Sequence, residues 1–158
     1  MRSDKKKVSI GVVGKGFVGT AVAHGFSHQT GYGAEIRIYD KDPEKSQDTL
    51  DETVNKSEFI FLSVPTPADK DGFNDLSIVR SALRDIESIC KSPDNIILVR
   101  STVVPGTTRE LQKEFPNLRM VFNPEFLTER SASFDFINQT RVILGGDKQH
   151  TNKVKYLY

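Results

Sequence analysis

Val8-Ser9-Ile10-Gly11-Val12-Val13-Gly14-Lys15-Gly16-Phe17-Val18-Gly19 is the stretch whose reading decides the fold. Val8 to Val13 is nearly all apolar and β-branched, as a strand covered on both faces should be. It runs straight into G-x-G-x-x-G. Gly14 lets the chain turn sharply, Gly16 lets a pyrophosphate approach the backbone, and Gly19 lets the next helix pack close to the strand. Val18, Ala21, Val22, Gly25 and Phe26 then recur at helical spacing. Such a helix points free N–H groups and its positive dipole end at phosphates. Glycines also mark ordinary turns. Here both the strand before and the helix after are in place.

A second strand, Glu35 to Tyr39, ends at Asp40, which lies 21 positions after Gly19. The carboxylate that binds an adenosine ribose is expected roughly 20 residues on. Asp40 would accept from the ribose hydroxyls and repel a 2′-phosphate, so NAD is favoured over NADP. Lys41 and Lys45 soften that preference. The competing reading is that Asp40 only caps the next turn.

The chain has 158 residues, enough for one domain with a real core. Its net charge of +1 leaves no electrostatic footprint for nucleic acid. Lys5-Lys6-Lys7 reads as part of a frayed terminus over residues 1–7. The apolar run behind it is too short for a signal peptide and stops at glycines. No stretch approaches the ~20 apolar residues that span a bilayer. A single cysteine, Cys90, excludes an intrachain disulfide. These features predict a soluble cytoplasmic domain.

Strand and helix patterns alternate to the end. The helix after the glycines is expected to run to about Gln29, with His24 and His28 on its solvated face and no third metal ligand in view. Pro43, capped by Asp42, predicts a short helix. Glu58 to Val64 is a strand stopped by Pro65-Thr66-Pro67. Ile78 through Cys90 keeps helical spacing, with Cys90 a structural thiol on the apolar face. Ile96 to Val99 is a strand ending in the hydroxyl-rich loop Arg100 to Thr108, and a helix covers about Thr108 to Phe115. Leu118 to Phe122 is a fifth strand, Asn123-Pro124-Glu125 opens a helix, and Arg141 to Leu144 is a sixth strand ended by Gly145-Gly146. The alternation predicts an α/β, doubly wound parallel sheet of about six strands, the Rossmann-type dinucleotide-binding fold, over residues 8–146. Residues 147–158 read as a linker or the start of a truncated helix.

Ligands of such sheets bind at the carboxyl edge. Thr66, Ser101, Thr102 and Thr107 place hydroxyls there, although each alone is more often a turn former. Glu125 and Glu129, four apart, would share a helix face at a cost of a few tenths of a kcal/mol. That pairing suits acid/base work or a polar substrate, and equally a solvated face.

Val-Pro-Thr-Pro at 64–67, Ser-Thr-Val-Val-Pro-Gly-Thr at 101–107 and Asn-Pro-Glu-Phe-Leu-Thr-Glu-Arg-Ser-Ala at 123–132 follow the glycine loop in order. Together they resemble the NAD-binding domain of the UDP-glucose/GDP-mannose 6-dehydrogenases over about residues 8–146. The resemblance implies oxidation of the C6 hydroxyl of a nucleotide sugar to a carboxylate, with two NAD. Carried over by position, it implies cofactor contacts from Gly14, Lys15, Gly16, Phe17, Val18, Gly19, Asp40, Lys45, Val64, Pro65, Thr66, Ser101 and Thr102. It implies catalytic roles for Thr102, which helps hold the hydrolytic water, for Glu125 as acid/base, and for Glu129. Glu125, Phe126, Leu127 and Glu129 would line the sugar site.

The chain also departs from the family. The family's catalytic cysteine, with its partner lysine and asparagine, lies in a second half that Tyr158 precedes, and Cys90 matches no such position. The segment from Lys45 to Glu58 is much shorter than usual, and Lys15 replaces a commonly neutral residue. The expected partners are therefore a nucleotide sugar and a second domain or chain carrying the cysteine, with no nucleic acid or membrane. The alternatives are a non-catalytic NAD-binding regulatory or scaffold module, and a 3-hydroxyacid-type dehydrogenase domain.

Overall fold

Runs that are apolar at every position can only be strands with a helix layer on each side. The computed structural model, which describes residues 7–158, shows that arrangement. The expectation for the first seven residues lies, Lys7 apart, outside the described residues. β1 (Ser9–Val13), β2 (Glu35–Tyr39), β3 (Phe59–Leu62), β4 (Ile96–Val99) and β5 (Arg119–Phe122) are parallel neighbours in the order β2-β1-β3-β4-β5. β3 and β4 are buried at all positions.

Alternate side chains feed two cores. Ile10, Val12, Phe59, Phe61, Ile96 and Leu98 face α1 (Phe17–Gly25) and α5 (Ala132–Ile137), through Ala21, Val22 and Phe136. Val13, Ile60, Leu62, Ile97 and Val99 face α2 (Leu50–Asn55), α3 (Ser77–Ile89) and α4 (Thr107–Glu114), through Val54, Leu83, Ile86 and Leu111. The first core continues past Gly146 into α6 (Lys148–Lys155), because Val154 and Leu157 are buried in it.

Several elements differ from the sequence expectation. α1 ends at Gly25 and a separate 3₁₀ turn covers His28–Thr30. No helix follows Pro43. The chain turns there, with Asp42 accepting from the Glu44 amide at 3.1 Å. It then runs back along the free edge of β2, where Gln47 and Asp48 amides donate to the Ile38 carbonyl and Asp48 Oδ2 accepts from the Ile38 amide at 2.9 Å. The helix forms later, where Thr49 and Glu52 close a capping box. So short a link leaves β2 as the edge strand, its exposed ladder groups satisfied by a loop.

The helix expected from Asn123 is also absent. Asn123 is 1% exposed and its side chain bonds inward to Arg100, Tyr158 and the Ile143 carbonyl, so it has nothing left to cap with. Helical backbone starts only at a 3₁₀ turn, Glu129–Ser131. Glu125 and Glu129 therefore share no helix face. Arg141 to Leu144 is not a strand. The sheet's last member is β6 (Gly145–Gly146), antiparallel to β5. The Ile143 carbonyl is committed to Asn123 at 3.1 Å, and pairing begins only where the chain reaches the β5 edge.

Gly25 is where α1 and α5 meet, and a methyl there would run into the Phe136 ring. Glycine to alanine in a helix normally stabilises by about 1 kcal/mol. In Gly25→Ala the overlap should reverse that sign, with a net loss of about 1–3 kcal/mol in denaturant unfolding. A stabilised variant would show that this helix contact is loose.

Candidate functional site

Because β1, β3, β4 and β5 are parallel, the loops that leave them gather on one edge. Gly14 turns out of β1 with φ +97°, a conformation that L side chains rarely adopt. A methyl on Gly19 would overlap the Gly14 carbonyl, so the start of α1 is pressed onto the loop. Gly16 is different: nothing lies within 4 Å of where its Cβ would be. It is the N-cap of α1, offers no side chain to the first-turn amides, and no acidic residue occupies that turn. Those amides have no side-chain cap and could take an anionic ligand.

Asp40 closes the loop. Its Oδ2 accepts from the Lys15 amide at 2.6 Å and its Oδ1 from the Asp42 amide at 2.9 Å. The turn-capping role is thus real, and each oxygen retains lone-pair capacity for a ligand hydroxyl. Beside it opens an apolar slot of about 110 Å³, walled by Val13, Tyr39, Leu50, Val64, Ile78 and Ala82. Lys45 lies outside this slot and pairs with Asp42 at 3.7 Å, while Lys41 Nζ reaches Ser81 Oγ at 3.4 Å.

A second cavity, of about 280 Å³, lies on the other side of Val64 and Pro65. Gly16, Phe17 and Val18 form one wall, Thr66 and Ser101-Thr102 another, and Arg100 and Glu125 complete it. Ser101 Oγ donates to the Val64 carbonyl at 2.6 Å, and Thr66 Oγ1 donates to the Thr102 carbonyl at 2.8 Å. These hydroxyls hold the β3 and β4 loops together. Among the described residues the Thr102 hydroxyl has no protein partner.

Glu125 sits in irregular chain after β5, with Oε2 buried and, among the described residues, unpartnered. Burial pushes its pKa up, and the Arg100 charge pulls against that. Arg100, 1% exposed, went unnoticed in sequence because a basic residue ending a strand usually snorkels to water. The available signal was its place directly after four apolar strand residues.

Other candidates stand elsewhere. Phe126 is 53% exposed, with the Arg141 guanidinium 4.9 Å over its ring. Leu127 packs on the first core, and Glu129 is exposed. Cys90 lies outside both cavities at the end of α3, half-buried, and burial raises its thiol pKa. Such a thiol is not an activated nucleophile. Among the described residues no helix is long and apolar enough to cross a membrane.

With that geometry in hand, the comparisons decide the family. The profile of the UDP-glucose/GDP-mannose dehydrogenase family, NAD binding domain, matches residues 45–158. The chain belongs to this family. The match identifies it as the family's NAD-binding domain, and so as part of a family of NAD-dependent nucleotide-sugar dehydrogenases. The chain is 25% identical to the UDP-glucose 6-dehydrogenase AglM of Haloferax volcanii, over 87% of this chain and 41% of that protein. It is 45% identical to an uncharacterized Methanocaldococcus jannaschii protein, over 63% of this chain and 12% of the relative. A solved UDP-glucose dehydrogenase from Pyrobaculum islandicum superposes with TM-score 0.80 at 25% identity, over all of this chain and 45% of that one. The chain therefore spans less than half the length of these relatives.

NAD suits the residues present. The open side of Gly16 and the free amides of α1 fit a diphosphate, and the Asp40 carboxylate fits a ribose diol. Two outcomes follow. Gly16→Ala, in ordinary backbone with empty space at its Cβ, should leave unfolding free energy within about 0.5 kcal/mol. The same change should cost NAD at least about tenfold in affinity by calorimetry, ~1.4 kcal/mol, if the open space at Gly16 is where the diphosphate lies.

The second outcome concerns pH. A carboxyl whose folded pKa is raised gives stability that is fully present below its unfolded pKa and is lost as pH rises through the folded pKa. Glu125→Gln should flatten that falling limb in a pH series of thermal melts. A limb that persists unchanged would assign it to another group.

Proposed function

We propose that this chain is the cofactor-binding part of a nucleotide-sugar 6-dehydrogenase, which oxidises a C6 hydroxyl to a carboxylate. One observation carries the reading. A desolvated carboxylate, Glu125, meets the glycine loop and the Ser101-Thr102 loop in one cavity. NAD, when bound, accepts the hydride that each of two oxidations removes from carbon. Alcohol, water and two NAD then become carboxylate, two NADH and protons.

The chain's own residues serve the rest. The amides of α1 hold the diphosphate, Asp40 holds the adenosine ribose, and the apolar slot beside it takes the adenine ring. Lys15, Val64, Pro65, Thr66 and Ser101 shape the backbone that the cofactor lies on. Asp40 also excludes a 2′-phosphate, and the two nearby lysines do not offset this, since both are engaged elsewhere. Glu125 takes the hydroxyl proton, and the free hydroxyl of Thr102 holds the water that supplies the second oxygen. Phe126, Leu127 and Glu129 stand outside the cavity, and we assign them to the sugar's far side. The covalent thiol belongs to the family's second half and is not Cys90.

Calorimetry on the 158-residue chain tests the assignment. NAD should bind, and Asp40→Ala should weaken it by about tenfold or more, ~1.4 kcal/mol. Glu125→Gln should change NAD affinity less than about twofold, ~0.4 kcal/mol, because it sits at the sugar. Given UDP-glucose and NAD, the isolated chain should release no NADH. Absence of binding heat at millimolar NAD rejects the cofactor role, and steady NADH production rejects the need for a second half.

A further inference from the structure

Arg100 is a buried cation with no carboxylate within ion-pair distance among the described residues. It is 1% exposed, and its Nε and Nη2 are covered from solvent and without a partner. Its Nη1 donates to Asn123 Oδ1 at 2.9 Å and lies 3.5 Å from the Tyr158 hydroxyl. The rings of Phe61 and Phe136 lie 6.0 and 5.6 Å from its guanidinium carbon. Arginine does not relieve such burial by losing its proton. An unpaired buried charge is costly enough that a counter-charge is expected near it.

The counter-charge lines the same cavity. Glu125 lines the same 280 Å³ space, and its Oε2 is likewise buried without a partner. The remaining wall carries no charge: Gly16, Phe17 and Val18 come from the glycine loop, Ser63 to Thr66 from the β3 loop, and Ser101 and Thr102 from β4. Tyr158 is 42% exposed overall, but its hydroxyl lies between the buried Arg100 and Asn123, and burial pushes its pKa up to about 12. It is a neutral donor at working pH. Arg141 and Glu129 are exposed and outside the cavity. The field at Glu125 is therefore set by Arg100.

We propose that Arg100 is a positioning residue for Glu125, its buried guanidinium holding that carboxyl in the ionised, proton-accepting form. The proposal rests on the reading of Glu125 as the acid/base group. Burial alone favours the neutral acid, which cannot take a proton from an alcohol. Arg100 opposes that preference without occupying the cavity, which stays open for a hydroxyl or water that accepts from arginine and donates to glutamate. Asn123 and Tyr158 hold the guanidinium in place and do not themselves act on Glu125.

Carboxyl carbon-13 NMR on the 158-residue chain, with no cofactor present, reads this directly. The Glu125 midpoint should rise by about one pH unit or more in Arg100→Gln, tenfold in proton affinity. Arg100→Met should do the same. Tyr158→Phe, which loosens the cluster but keeps the charge, should move it by less than about 0.3 unit. A folded Arg100→Gln or Arg100→Met chain with an unmoved midpoint overturns the proposal. A Tyr158→Phe shift as large as that of Arg100→Gln does the same. Should neither arginine variant fold, the wild type decides. The Arg100 Nε–H resonance should titrate with the Glu125 midpoint and lie flat in Glu125→Gln; a wild-type signal that ignores Glu125 overturns the proposal. NAD binding by calorimetry is independent of this outcome, so failure here and failure of the cofactor assignment are separate results.

Discussion

The Lys15 amide donating to Asp40 at 2.6 Å is the contact on which the rest depends. It ties the glycine loop that leaves β1 to the end of β2, and the Gly14 amide adds a bond to the Tyr39 carbonyl at 2.9 Å. With the loop fixed, α1 starts where its free amides face outward over the carboxyl edge. Gly19, pressed against Gly14, keeps the helix from drifting away. One charge-assisted hydrogen bond to a carboxylate thus sets the positions of the first-turn amides and of the Asp40 carboxylate together.

The far half of the edge is organised by a different interaction. Arg100, Asn123 and Tyr158 form a buried polar cluster that joins the end of β4, the chain after β5 and the segment after α6. Its members are held by each other and by aromatic faces. Burying Arg100 and Asn123 costs desolvation, which packing of Phe26, Phe61 and Phe136 around them offsets. In return the Asn-Pro-Glu segment stays out of a helix, and Glu125 lines the cavity together with the start of α1.

The five parallel strands and the glycine turn were legible because their causes are local. Ile96 to Val99 needs only four apolar residues between turn formers, and the glycine loop needs only its own spacing. The misread places share a cause. Asn123-Pro124 looks like a helix start, yet the asparagine's hydrogen bonds go to residues 23 and 35 positions away. Asp42-Pro43 looks like another, yet the chain there is drawn along the open edge of β2 by Asp48. Arg141 to Leu144 carries the apolar run of a strand, but a strand needs a neighbour's ladder, and β5 is reached only at Gly145. Arg100 gave almost no signal, since whether a strand-end arginine is solvated or buried is settled by what covers it.

By itself the sequence determined the alternating α/β pattern, the dinucleotide loop and the carboxylate that closes it, all from short-range chemistry. Tertiary structure alone decided which strand became the edge, which glutamate was desolvated, and which arginine was left to face it. Those outcomes depend on contacts between residues far apart in the chain, where burial changes what a charge costs.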